Sequence, residues 1–263
     1  MIEFQQVCRS YGDTLAVDHL SLRVAAGELY SLLGHNGAGK TTAIKMLVGL
    51  MRPGSGTIRV GGYDVVTDTR QAVSMIGYVP DQPFLYEKLS GREILQFVVR
   101  MYGMEAREAA RAIDREIQRF ELEEFVDHLT ETYSHGMKQR TVFASALLHK
   151  PRVLVVDEPM VGLDPHSIRL VKDLLQREVA DGMSVLMSTH TLGAAEEISH
   201  RVGIMSLGQL LFDGTVAQLR EKLGDRKQSL EDMYLALTEG TGDGRLNHAD
   251  VRAAIRQREQ MQQ

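Results

Sequence analysis

The sequence predicts an α/β fold: a mixed, mainly parallel sheet with flanking helices, an antiparallel β part at the N-terminus, and an all-helical lobe inserted into the core. Three observations carry this expectation. Aliphatic runs at 29–33, 153–157, 184–189 and 201–206 alternate with helical patterns, as parallel strands joined by crossovers do. A glycine-rich turn lies between the run Leu29–Leu33 and the helical pattern from Ala43, giving strand, loop and helix in immediate succession. Between about 84 and 135 β-branched runs are few, and two apolar patterns follow helical rather than strand spacing.

Taken in order, residues 2–7 and 15–24 read as strands, with Tyr11-Gly12-Asp13 as the turn between them. After the glycine loop and its helix, Pro53-Gly54-Ser55-Gly56 turns into a short strand at 57–60. A second turn at Gly61–Asp64, a short helix near 67–74 and a strand at 75–79 complete the first half of the core. Pro80-Asp81-Gln82-Pro83 then breaks regular structure. The lobe's first helix shows Ile94, Phe97, Val98 and Met101 at i, i+3, i+4, i+7; the second shows Ala106, Ala109, Ala110, Ile113, Ile117 and Phe120. A helix from about Gly136 to His149 returns the chain to the core. Strand 153–157, helix 166–180, strand 184–189, helix 191–199 and strands 201–206 and 209–212 follow. Residues 214–237 read as two small helices, 241–247 as loop and 248–260 as weakly helical. The expected organisation is a main domain over 1–223, with the helical subdomain at about 84–150, and an extension with a polar tail over 224–263.

A net charge of −5 over 263 residues gives no global attraction to nucleic acid or anionic membrane. The one cysteine, Cys8, excludes an internal disulfide, suits a reducing compartment and reads as a small hydrophobe of the first strand. Met1–Gln6 lacks the basic start and apolar core of a signal peptide, and no apolar run approaches the ~20 residues of a membrane span. The expectation is an intracellular chain that serves a membrane, if at all, through a partner.

The chemistry concentrates in three stretches. Gly34-His35-Asn36-Gly37-Ala38-Gly39-Lys40-Thr41-Thr42 fits G-x-x-x-x-G-K-[ST]. Its glycines let the backbone curl so that N–H groups and the following helix N-terminus face phosphate oxygens. Lys40 is a cation for the β- and γ-phosphates, and Thr41 offers a hydroxyl to Mg²⁺. Val153–Asp157 is the run of a central strand; Asp157 at its C-terminal end is placed to hold Mg²⁺, and Glu158 to polarise an attacking water as general base. At the end of the next core strand, His190 is placed to hydrogen-bond a γ-phosphate oxygen. Together these predict a nucleoside triphosphate site. In the third stretch, Tyr133–Arg140, Ser134 reads as a helix N-cap; with Gly136 and the helix dipole it also makes a second anion site. One chain has no use for two γ-phosphate sites, whereas two chains facing head to tail do.

The set resembles the ATP-binding cassette (ABC) ATPases, nucleotide-binding subunits of membrane transporters with a P-loop NTPase core, over about residues 2–220. Gly34–Thr42 resembles the Walker A loop, Val153–Glu158 Walker B with its catalytic glutamate, and Tyr133–Met137 the signature motif. Gly162-Leu163-Asp164-Pro165 resembles the D-loop, His190 the switch histidine, and Tyr11 the aromatic that stacks on adenine. The resemblance implies a homo- or heterodimer enclosing two Mg²⁺–ATP, each between one chain's P-loop and the other's Ser134, Gly136 and Asp164. It implies ATP hydrolysis driving a separate permease, with the chain peripheral on the cytoplasmic face of the membrane. Tyr-Ser-x-Gly-Met-Lys-Gln-Arg and Gly-Leu-Asp-Pro look most like exporter-type members.

Two departures stand out. Where the family has a Mg²⁺-sensing glutamine after Val79-Pro80, Asp81 stands and Gln82 follows. Asp81 is expected in the glutamine's place, with Gln82 reaching in from a shifted loop as the alternative. His135 and Met137 replace the usual glycine and glutamine of the signature. Leu85 and Tyr86 are expected to meet a permease helix. Two rivals are a soluble ABC protein acting on ribosomes or nucleic acid, disfavoured by the single cassette and the lack of a basic patch, and a non-hydrolysing regulatory subunit, disfavoured by Asp157, Glu158 and His190. Residues 239–250 faintly echo a calcium loop without its entering helix, and a solvated tail is the reading kept.

Overall fold

The computed structural model describes residues 1–223 and 229–239. The expectations for 240–263, including the faint calcium-loop echo, lie outside the described residues.

Two sheets organise the core. β1 (Ile2–Tyr11), β2 (Thr14–Val24), β4 (Ser55–Val60) and β5 (Tyr63–Asp64) form an antiparallel sheet in the order β2-β1-β4-β5. The second sheet contains β3 (Leu29–Leu33), β6 (Ile76–Val79), β7 (Val153–Asp157), β8 (Ser184–Thr189), β9 (Arg201–Ser206) and β10 (Gln209–Gly214). Its order is β10-β9-β3-β8-β7-β6, parallel throughout except for the β9–β10 hairpin. Every residue of β3, β7 and β8 is buried, which explains their unbroken aliphatic character: both faces are covered. β1 extends four residues beyond the expected strand, because Arg9, Ser10 and Tyr11 pair with Val17, Leu15 and Thr14. Tyr11 is therefore a strand end and not a turn residue.

The helices are α1 (Lys40–Leu47), α2 (Thr69–Val73), α3 (Gly91–Met101), α4 (Ala106–Arg119), α5 (His135–Leu147), α6 (Pro165–Ala180), α7 (Leu192–Ile198), α8 (Val216–Leu223) and α9 (Leu230–Glu239). Helices α3, α4 and α5 make the lobe between β6 and β7. Ser90 starts α3 with a capping box: its Oγ accepts from Glu93 N–H, and the Glu93 carboxylate accepts from Ser90 N–H. Tyr133, just ahead of α5, ties the lobe together: its hydroxyl donates to Phe125 O (2.8 Å) and accepts from Gly91 N–H (3.2 Å).

The buried face of α3 does not coincide with its apolar spacing. Ile94, Leu95 and Val99 are buried, whereas Phe97 is 46% and Met101 71% exposed. The helix packs against α4 and α5, and that contact buries Ile94 with Leu95 and Val99 while leaving Phe97 and Met101 outward. Leu85, expected at a partner surface, is likewise buried in the lobe–core cluster; its neighbours Phe84 and Tyr86 are the exposed pair. Cys8 is half-buried, its sulfur accepting from His19 N–H (3.2 Å), so it is less enclosed than a core hydrophobe.

Candidate functional site

The site forms where β3, β7 and β8 end together at their C-terminal edge. β3 delivers the P-loop, and two of its glycines are demanded by space. A side chain at Gly39 would lie 2.3 Å from Ala16 O at a φ of +105°, and one at Gly34 would lie 2.5 Å from Met205 O. The loop is thus pressed against the second sheet and the β2 backbone, and α1 starts from it with Gly39 as its left-handed N-cap.

Lys40 is buried, 5% exposed, yet fully employed. Its Nζ donates to Gly34 O (2.6 Å) and His35 O (3.3 Å) and lies 3.2 Å from Glu158 Oε1. Glu158 adopts φ of +50°, rare for a residue with a side chain, and its N–H is held by Ser188 O and Ser188 Oγ at 3.1 Å. That twist at the end of β7 turns its carboxylate over the P-loop. Glu158 Oε2 meets His190 Nδ1 at 2.9 Å and accepts from His190 N–H. His190 is thus held against the carboxylate while its ring stays about half exposed.

Asp157 has no exposed surface. Oδ1 accepts from Ser188 Oγ and, at 3.4 Å, from Thr41 Oγ1, while Oδ2 has no partner among the described residues. Burial pushes its pKa above the ordinary carboxylate value, against these hydrogen bonds, and the charges of Asp81 and Glu158 push the same way. Tyr78 is pushed up to about 12 by burial and by Asp157 and Asp81. In both groups burial leads, and the neighbouring carboxylates add a negative field to it.

A cavity of about 300 Å³ is lined by Ala16, residues 35–42, Asp81 and Glu158. Asp81 belongs to this wall; Gln82 does not, and its N–H donates to Asp81 Oδ1 (2.8 Å). Tyr11 stands apart, its ring 47% exposed, its hydroxyl on Met51 Sδ (3.2 Å) and Arg9 over its face. The third stretch is also elsewhere. Ser134 is exposed and caps α5, accepting from Met137 N–H (3.3 Å), and Met137 returns its sulfur to Ser134 N–H (3.4 Å). The methionine thus fills the reciprocal place that a glutamine takes in a capping box. Gly136 borders a separate cleft with Leu163, and Asp164 caps α6 through Ser167. Neither Ser134, Gly136 nor Asp164 reaches the P-loop cavity of its own chain.

Sequence reasoning missed two residues of the site. Ser188 bridges Asp157 and Glu158, and its signal is the parallel register that sets it beside Asp157. Tyr234, on α9, borders a second cavity with Gly34, His35, Asn36 and His190.

The family described as ABC transporter matches residues 17–161, a span that runs from β2 through the P-loop and lobe to the end of Walker B. The chain belongs to the ABC transporter family. The linearmycin resistance ATP-binding protein LnrL of Bacillus subtilis is 36% identical over 85% of this chain and 72% of its own length. The Nod factor export ATP-binding protein I of Burkholderia pseudomallei is 40% identical over 84% and 72%. Among solved structures, an ATP-binding subunit of an ABC transporter superposes with a TM-score of 0.85 at 32% identity, covering 90% of this chain and 99% of its own. The dimeric ATP-binding cassette MJ0796 in a post-hydrolysis state with ADP and Pi shares the fold at a TM-score of 0.74 and 23% identity. This ABC protein is an ATP-binding subunit of a transporter and an ATPase, converting ATP and water to ADP and phosphate in a reaction coupled to transport. Among the described residues no helix is long and apolar enough to cross a membrane.

Proposed function

We propose that this ABC subunit dimerises head to tail on Mg²⁺–ATP and drives export through a separate permease at the cytoplasmic face of the membrane. The observation that carries the dimer is the division of the site. P-loop, Asp81, Asp157, Glu158 and His190 converge in one place, while Ser134, Gly136 and Asp164 stand away from it. Those three supply a hydroxyl, a backbone N–H at a helix start and a loop carboxylate, which suit the γ-phosphate side of a second copy's nucleotide.

The residues fit a magnesium ion. Asp157 Oδ2 is a buried acceptor without a partner among the described residues, Thr41 is its hydroxyl neighbour, and Asp81 adds a second carboxylate to the same field. When bound, Mg²⁺ neutralises phosphate charge. Lys40 would exchange its carbonyl and Glu158 contacts for phosphate oxygens. Freed from Lys40, Glu158 accepts the proton of the water that attacks the γ-phosphorus as ADP leaves, and His190 supports the phosphoryl oxygens from the other side. Tyr11 lies at the end of β1 as the ring available to adenine.

Export is supported by what similar proteins are named for: linearmycin resistance, daunorubicin resistance and Nod factor export. The test is mass spectrometry of what is retained by tagged protein from detergent-solubilised native membranes. A polytopic membrane protein in fixed ratio is expected. Ribosomal proteins or nucleic acid in its place would overturn the transporter partner.

A further inference from the structure

The β1–β2 ladder carries a group of metal-ligating side chains that the ATP site does not use. Val7 pairs with Leu20 and Arg9 with Val17, so Cys8 alone on β1 stands opposite both Asp18 and His19 on β2. Two residues against one make a β-bulge, which suspends the alternation that sends neighbouring side chains to opposite faces. His19 takes a left-handed backbone there, at a φ of +49°. One donor atom each from Cys8, Asp18 and His19 then lies within 4.8 Å of the other two. Among the described residues this is the only such group of His, Cys, Asp or Glu side chains.

The surroundings suit a cation. Asp18 is buried and its carboxylate is held on both sides: Gln209 Nε2 donates to Oδ2, and His19 Nδ1 meets Oδ1 at 2.5 Å. Gln209 fixes the carboxylate's orientation, as outer partners do for a metal ligand. The His19 peptide N–H donates to Cys8 Sγ (3.2 Å), a bond that strengthens when the sulfur carries charge. The His19 ring is exposed, so its nitrogen can turn from Oδ1 toward an ion without disturbing the core. A tetrahedral zinc spaces its donors roughly 3.3–3.6 Å apart, so side-chain adjustments of about 1 Å bring the three into place.

We propose that Cys8, Asp18 and His19 bind a zinc ion, with solvent completing its coordination on the exposed side of His19. Thiolate, imidazole and carboxylate are the ligand types zinc accepts, and the sulfur and nitrogen select it over Mg²⁺. Binding takes the proton from the Cys8 thiol and releases it to solvent, so thiolate and carboxylate balance the two charges of the ion. The placement makes the ion a clamp. Asp18 N–H donates to Gly208 O (2.9 Å), and Gly208 N–H donates to Ala38 O of the P-loop (3.0 Å). Zinc therefore fastens β1 to β2 at the point where that sheet is bonded, through the β9–β10 turn, to the P-loop.

The test uses the full chain without nucleotide, so that no phosphate competes for the cation, and Co²⁺ as a spectroscopic stand-in for zinc. Cys8 is the only cysteine, so a thiolate-to-cobalt charge-transfer band reports on this site alone. One cobalt per chain is expected to produce that band together with intense tetrahedral bands in the visible, and Zn²⁺ to abolish both by displacement. Asp18→Asn and His19→Asn should each weaken binding at least ~10-fold, and asparagine suits the left-handed backbone at position 19. Zinc at a hundredfold excess over its Kd should raise the melting temperature of the wild type by about 5–10 °C, and that of His19→Asn far less. Absence of the thiolate band, or a band that both variants keep at wild-type affinity, would overturn the site. One cobalt per two chains would put the ion between copies and overturn it as well.

Discussion

Asp157 and Glu158 are adjacent, yet the fold treats them differently. Asp157 is enclosed with one oxygen unmatched among the described residues, while Glu158 is turned by a left-handed backbone toward Lys40 and His190. A buried carboxylate without full compensation is a stability cost kept for function. Asp157→Asn removes that charge and keeps the shape. It should raise the stability of the nucleotide-free protein by about 1 kcal/mol, some 2–4 °C in melting temperature, and abolish turnover. The pH dependence has a definite sign. The native pKa of Asp157 is raised, so its charge burdens the fold above that value and vanishes below the ordinary carboxylate range. The gain should therefore be present at about pH 7 and fade toward about pH 4 in thermal melts. Glu158→Gln leaves Lys40 its two carbonyl partners, so the fold and ATP binding should persist. Turnover should fall ~10²–10⁴-fold, the usual share of a general base. Phosphate release at the wild-type rate would remove Glu158 from that role.

At the scale of elements, legibility followed locality. The buried strands β3, β7 and β8 are readable because a strand covered on both faces must be continuously apolar, and the glycine loop because its stereochemistry is fixed within a few residues. The helix α5 could be placed from Ser134, since a cap acts over three residues. What depended on a distant partner was hidden. The buried stripe of α3 is chosen by α4 and α5, so Phe97 and Met101 lie outward although their spacing fits a core face. Leu85 and Tyr86 are adjacent and both largely hydrophobic in sequence; the docking of the lobe decides that one is buried and the other exposed. Ser188 and Tyr234 meet the site through a parallel register and through a helix some two hundred positions after the P-loop. No local pattern marks either.

At the scale of the whole molecule, the outward rings of the lobe form a surface of their own. Phe84 is 76% and Tyr86 56% exposed, and Tyr86 makes edge-on contacts with both Phe84 (5.8 Å between centroids) and Phe97 (6.3 Å). The patch begins three residues after Asp81, so it is joined by one short loop to the wall of the ATP cavity. A contiguous aromatic surface connected to a site that changes during turnover suits a helix of the proposed permease partner. Because both side chains are largely exposed, replacing them removes little packing. The double variant Phe84→Ser/Tyr86→Ser should melt within about 2–4 °C of the wild type and hydrolyse ATP normally as the isolated subunit, since surface substitutions rarely cost more than about 0.5 kcal/mol each. It should lose the permease from affinity purification of solubilised membranes. Leu85→Ser, which opens the buried cluster, should instead lower the melting temperature, because burying a hydroxyl in place of a leucine costs several times as much, about 2–5 kcal/mol. Undiminished recovery of the permease with the double variant would place the coupling surface elsewhere on the lobe.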